Sequence, residues 1–164
     1  MFEVGDKVVY PVHGAGIIEA IENQEVLGRV RSYYILKISA GDMRLMVPVE
    51  TVETVGMRQI IAPEIVDNVL AVLRENADEL EENWNRRYRA NMEKIKSGDI
   101  FIVAAVVRNL VLRDRKRGLS AGEKKMLDYA KRILVSELML VENESEEQVL
   151  STISDLFADH QALG

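Results

Sequence analysis

The sequence predicts an α+β protein in two parts. A small antiparallel β-barrel is expected over residues 1–57 and an all-α domain of about five helices over residues 58–164. Up to residue 57 the apolar residues sit in short runs broken by Gly and Pro, the pattern of strands and tight turns. From Ile60 onward they recur at three- and four-residue spacing between helix caps.

In the first part, Lys7 to Tyr10 is a short strand stopped by Pro11, which has no N–H for a sheet ladder. His13-Gly14-Ala15-Gly16 reads as a turn and Ile17 to Ile21 as a second strand. Asn23 to Val30 carries a turn around Gly28, with room for a short strand, and leads to Ser32–Ser39 (SYYILKIS), a third clear strand. Gly41-Asp42 makes a tight reversal, and Met43 to Val47 follows before Pro48. Short strands punctuated in this way suggest an SH3-like or Tudor-like barrel. About 55 residues make a marginal core, so the barrel is expected to lean on the rest of the chain.

In the second part, Pro63 suits a first helical turn, and Glu64 and Asp67 suit its positive end. Ile65, Val66, Val69, Leu70 and Leu73 give that helix an apolar stripe. The acidic segment Asn76 to Asn83 (NADELEEN) reads as a connection. The next helix starts near Trp84 and stops at Gly98. Asp99 caps another over Ile100 to Arg117, ended by Gly118. Ser120 with Glu123 forms a capping box that opens a long helix to about Glu142. Ser145 with Gln148 repeats the signal for a last helix to about Asp159.

The chain has 164 residues, 48% of them apolar, which suits one large or two small folded domains rather than general disorder. It has no cysteine, so neither a disulfide framework nor a thiolate zinc site is available. Met1 to Asp6 (MFEVGD) lacks a signal-peptide core. The apolar run Ile100 to Val107 is too short to span a bilayer. A cytoplasmic protein without a membrane partner is expected.

The net charge of −6 hides a strong asymmetry. Residues 84–132 hold 14 Lys or Arg against 5 Asp or Glu, whereas residues 1–83 hold 7 against 15, and residues 133–164 hold none against 7. A basic block confined within an acidic protein orients a polyanion instead of binding it anywhere.

Catalysis has little support. The two histidines, His13 and His160, stand in a turn and near the C-terminus, and no metal-ligand spacing or Ser/His/Asp arrangement is suggested. Glu81-Glu82 and Glu146-Glu147 lie in acidic surface runs. Gly14-Ala15-Gly16 lacks the length of a phosphate-binding loop. Tyr10, Tyr33 and Tyr34 could line an aromatic cage, but adjacent strand residues point to opposite faces, so only one of the last two could join Tyr10. No enzyme, metal or cofactor is expected, and docking through a strand edge or face is the better use of the barrel.

Two stretches point to a polyanion. Asn83 to Gly98 (NWNRRYRANMEKIKSG) holds the chain's only tryptophan, Trp84, with Tyr88 four residues on and Arg86, Arg87 and Arg89 around them. In one reading Trp84, Tyr88, Met92 and Ile95 are a buried stripe and the arginines a solvated face. In the other, Trp84 is an exposed wedge and the arginines hold phosphates. The second stretch, Arg113 to Lys125, ends one helix on a basic run and begins another. Gly122 leaves room at that helix start, and Lys124 and Lys125 lie within its first turns, an arrangement suited to phosphate. Glu123 opposes this unless the capping box holds its carboxylate.

These residues also carry a resemblance. Phe2 to Gly16 (FEVGDKVVYPVHGAG), the GD turn with VP at Gly41 to Pro48, Asn83 to Asp99, Val106 to Leu110 (VVRNL) and Arg117 to Leu127 (RGLSAGEKKML) resemble the CarD/CdnL bacterial transcription regulators along nearly the whole chain. The resemblance implies a Tudor-like domain that docks on the RNA polymerase β subunit. It also implies a helical domain that touches promoter DNA at the upstream edge of the transcription bubble, with no catalysis or cofactor and little base readout. Carried over by motif, Trp84 is the minor-groove wedge. Arg89 and Lys124 are expected at the DNA backbone, with Arg86, Arg87 and Lys125 as neighbours. The polymerase-facing surface is expected around Glu22 to Arg29 and Met43 to Val47, with Gln24, Arg29, Arg44, Met46 and Pro48 as candidates. Gln24 and Met46 depart from the arginines that family members often carry there, and Arg29, Arg31 or Arg44 would have to compensate. The expected activity is stabilisation of the open promoter complex by a monomer. The alternative is a protein-interaction adaptor that does not contact DNA.

Overall fold

The computed structural model describes the backbone of residues 1–163 and the side chains of residues 1–160. Strands β1 (Lys7–Tyr10), β2 (Gly14–Val26), β3 (Arg29–Ile38), β4 (Arg44–Pro48) and β5 (Arg58–Gln59) form one antiparallel sheet in the order β4-β3-β2-β1-β5. Val8, Ile18, Tyr34, Leu36, Ile38, Val47 and Met57 make its core. This is the small Tudor-like part of the α+β arrangement.

Three local readings change. Gly14 to Gly16 are not a turn; they open β2, and the turn is Pro11 to His13. The glycines serve close packing: a Cβ on Gly16 would collide with the Lys37 carbonyl, and one on Gly14 would lie 2.6 Å from Ser136 Oγ. The second strand also runs much further than Ile21. It continues with β3 as a two-stranded arm closed at Leu27-Gly28, whose φ angles of 51° and 77° give a two-residue turn matched to strand twist. Finally, helix α1 (Val52–Val55) and β5 are additional elements, too short to show a period in sequence.

The remainder is helical: α2 (Val66–Arg74), α3 (Trp84–Ile95), α4 (Ile100–Arg117), α5 (Ala121–Glu142) and α6 (Glu146–Leu163). The expected caps form. Asp99 accepts from the N–H groups of Phe101 and Ile102, Ser120 accepts from that of Glu123, and Ser145 and Gln148 cap reciprocally. The central helix α4 buries Val103, Ala104, Val106, Val107 and Leu110 against the other helices. No helix among the described residues is long and apolar enough to cross a membrane.

The sheet does lean on the helices, through α5. Ser136 Oγ accepts from Ala15 N–H at 2.8 Å, and Ser39 Oγ donates to the Ser136 carbonyl at 2.6 Å. One residue on, buried Glu137 takes both ends of the Arg58 guanidinium at 2.8 Å each, plus the Ile61 N–H at 2.8 Å. Arg58 Nε also donates to the Gly98 carbonyl. Tyr129 donates its hydroxyl proton to the Val12 carbonyl. These bonds join β2, β5, the β1–β2 turn and the end of β3 to the middle of α5.

Candidate nucleic-acid interface

Trp84 is the first residue of α3, positioned by Asn83, whose side chain accepts from the Arg86 N–H at 3.0 Å. The residue is 42% exposed. One face of the indole stacks on Tyr88, centroids 5.1 Å apart and planes 22° from parallel. The indole N–H donates to Ser120 Oγ at 3.1 Å. Gly122 lies beside the ring, where a Cβ would sit 3.4 Å from the indole. So the room that Gly122 leaves at the start of α5 is taken by the indole.

The structure therefore brings the two basic stretches together. Arg86 and Arg89 on α3, and Lys124 and Lys125 at the start of α5, are all exposed. The Trp84–Ser120 bond links their two helix starts. Lys116 and Arg117, also exposed, end α4 just before Ser120.

Arg87 is not among these exposed cations. The reading of all three arginines as surface cations is corrected for it: Arg87 is 4% exposed. Its Nε and Nη2 donate to Glu123 at 3.0 and 3.2 Å, and its Nη1 donates to the carbonyls of Glu81 and Glu82. Burial pushes the Glu123 carboxyl up, but the hydrogen bonds and charge of Arg87, with Arg113 and Ser120, outweigh it and hold the group below its ordinary 4.5. A carboxylate consumed in this way no longer opposes phosphate at the start of α5.

The stripe on α3 also differs from expectation. Arg87, Asn91 and Ile95 are buried, Tyr88 and Met92 are half-buried, and Trp84 is outside. Reading periodicity assigns polar side chains outward and so misses a buried Arg–Glu pair. The available signal was the spacing of Arg87, Asn91 and Ile95, four residues apart.

A second buried arginine holds the connector before Trp84. Arg108 is 2% exposed and donates to the Val72 carbonyl, Glu75 and Asp78 at 3.0, 3.1 and 2.8 Å. Asn109 Oδ1 accepts from the Asp78 N–H, and its amide donates to the Asp78 carboxylate. With Arg87 on the Glu81 and Glu82 carbonyls, the acidic connector is secured at both ends.

The polymerase-facing candidates lie at the far end of the sheet. Gln24 and Met46 meet, Nε2 to Sδ 4.0 Å, on exposed parts of β2 and β4. Arg29 stands at the arm's tip beside Leu27, which is 99% exposed. Arg44 is exposed but engaged: it reaches across β3 to Glu19 at 2.8 Å, and this hydrogen bond holds the Glu19 carboxyl below its ordinary value. Pro48 is half-buried at the end of β4. The three tyrosines do not assemble a cage: Tyr34 is buried against Phe2, Tyr10 pairs with His13, and Tyr33 lies on the opposite face of β3.

Residues 2–61 match the family model described as the CarD-like/TRCF RID domain, and residues 68–154 match that described as CarD, C-terminal domain. The chain belongs to the CarD family. A similar relative is a Bacillus subtilis (strain 168) protein named "Putative transcription factor YdeB". It is 37% identical over 151 residues, covering 92% of this chain and 99% of the relative. This is a family of transcription factors, not of enzymes. In this CarD-family chain no group of three or more His, Asp or Glu among the described residues is placed to hold a metal ion.

Proposed function

We propose that this protein binds RNA polymerase and stabilises the open promoter complex. Residues 1–57 dock on the β subunit through the β2–β3 arm and β4, with Gln24, Arg29, Arg44, Met46 and Pro48 in or beside the contact. Residues 58–164 meet promoter DNA at the upstream edge of the bubble. The protein acts in the cytoplasm, as a monomer, at the nucleoid.

Docking raises the local concentration of the helical part at the promoter. Arg86, Arg89, Lys124 and Lys125 contact phosphates and set register without reading bases. Trp84 enters the minor groove where the strands begin to part. Unstacking a base step costs a few kcal/mol in intact duplex. At a bubble edge part of that cost is already met, so the wedge favours open over closed DNA, and only a differential of this kind shifts the equilibrium. A differential of about 1.4 kcal/mol changes the equilibrium constant tenfold.

One observation carries this reading: Trp84, 42% exposed, bridges by its Ser120 bond two helix starts that both carry exposed cations. Footprinting of a polymerase–promoter complex with and without the protein tests the proposal. New protection at the upstream bubble edge is expected. Protection unchanged, with the protein retained on polymerase, leaves the adaptor reading.

A further inference from the structure

We infer that Ser120 and Tyr88 are positioning residues for Trp84, fixing its indole in one pose and joining it to the basic start of α5. The inference rests on the reading of Trp84 as the side chain that meets DNA, and adds how that side chain is aimed.

A tryptophan in the first turn of a helix has few neighbours and, left alone, samples several rotamers. Here three sides of the ring are engaged. Tyr88 stacks on one face, Ser120 Oγ accepts the indole proton, and Gly122 adjoins the six-membered ring, where a Cβ would come 3.4 Å from Cζ2. The same Ser120 Oγ accepts from the Glu123 N–H at 3.2 Å, capping α5. Glu123 in turn holds Arg87, three residues after Trp84 on α3. Trp84, Ser120, Glu123 and Arg87 thus close a ring of contacts between two helix starts. Lys124 and Lys125 follow directly on the α5 side.

The consequence is preorganisation. A side chain already immobilised loses little rotamer freedom on binding, and that loss otherwise weakens a complex. The wedge and the α5 cations also keep one spacing, so phosphate contact by Lys124 and Lys125 delivers the indole to one place along the groove.

Ser120→Gly separates this role from helix capping, since Gly at an N-cap costs only a few tenths of a kcal/mol relative to Ser. Ser120→Thr restores the hydroxyl. Tyr88→Leu removes the stacking partner and leaves the cap untouched. Each full-length variant is compared with wild type and Trp84→Ala for the lifetime of a polymerase–promoter open complex. Acrylamide quenching and anisotropy of the sole tryptophan report its freedom. Ser120→Gly and Tyr88→Leu should raise quenching, lower anisotropy and shorten the lifetime by about two- to tenfold. Ser120→Thr should match wild type. If Ser120→Gly and Tyr88→Leu leave the indole as protected as before, or free it without shortening the lifetime, the positioning role is overturned. Where Trp84→Ala itself leaves the lifetime intact, the failure lies in the DNA-facing reading instead.

Discussion

Arg87 and Glu123 face each other as a two-pronged ion pair, 3.0 and 3.2 Å, each side chain 4% exposed. The pair locks the first turn of α3 to the first turn of α5. Removing one partner leaves a buried charge uncompensated, which costs about 3–5 kcal/mol. Arg87→Met should therefore lower the free energy of unfolding by about that much in urea denaturation. A loss within the error of the measurement would return Arg87 to the surface.

The same pair sets an acid limit. The folded state holds the Glu123 carboxyl below its ordinary 4.5, so the folded chain takes up that proton less readily than the unfolded chain. The stability this group contributes is fully present above pH 4.5 and is lost as pH falls through its lowered folded-state value. Unfolding free energy measured against pH should fall more steeply below pH 4.5 in wild type than in Glu123→Gln. Parallel curves would show that Glu123 is not the group responsible.

At the joint between sheet and helices, Arg58→Ala strips the buried Glu137 carboxylate of two charge-assisted bonds and leaves it the Ile61 N–H. Because Arg58 is partly solvated, a loss of about 1–3 kcal/mol is expected rather than the full cost of a buried pair. Hydrogen exchange should accelerate at the Ile61 and Ala15 amides, which hydrogen-bond to Glu137 and Ser136. Unchanged exchange at both would mean that the joint is held by packing alone.

Binding of the isolated chain to duplex DNA should be weak and steeply salt-dependent. Four exposed cations, Arg86, Arg89, Lys124 and Lys125, give a log–log slope of about −3.6, at roughly 0.9 per phosphate contact. Arg89→Ala or Lys124→Ala should each reduce the slope by about 0.9. A slope near zero would rule out phosphate contact.

Much of this architecture was legible because it rests on local chemistry. Asp99, Ser120 and Ser145 cap helices by the short-range bonds their side chains always favour, so α4, α5 and α6 begin where a reader expects. The exposure of Trp84 stood open between two readings from its own segment, because its Tyr88 partner lies four residues on but its Ser120 partner lies 36 residues away. Arg87 and Arg108 were illegible for a related reason. Their partners are carboxylates and carbonyls on other elements, and a periodic pattern treats an arginine as solvent-facing whatever lies opposite. Gly14 and Gly16 show the converse: glycine's usual association with turns concealed strand positions where Ser136 and the Lys37 carbonyl leave no space for a Cβ.

The dissociation lifetime of a polymerase–promoter open complex, measured with wild-type protein and with Trp84→Ala at concentrations that saturate polymerase, tests the central claim most directly. Wild type should lengthen the lifetime about tenfold, as a differential of about 1.4 kcal/mol requires, and Trp84→Ala should bind polymerase equally well yet lose most of that gain. Equal lifetimes with the two proteins would contradict it.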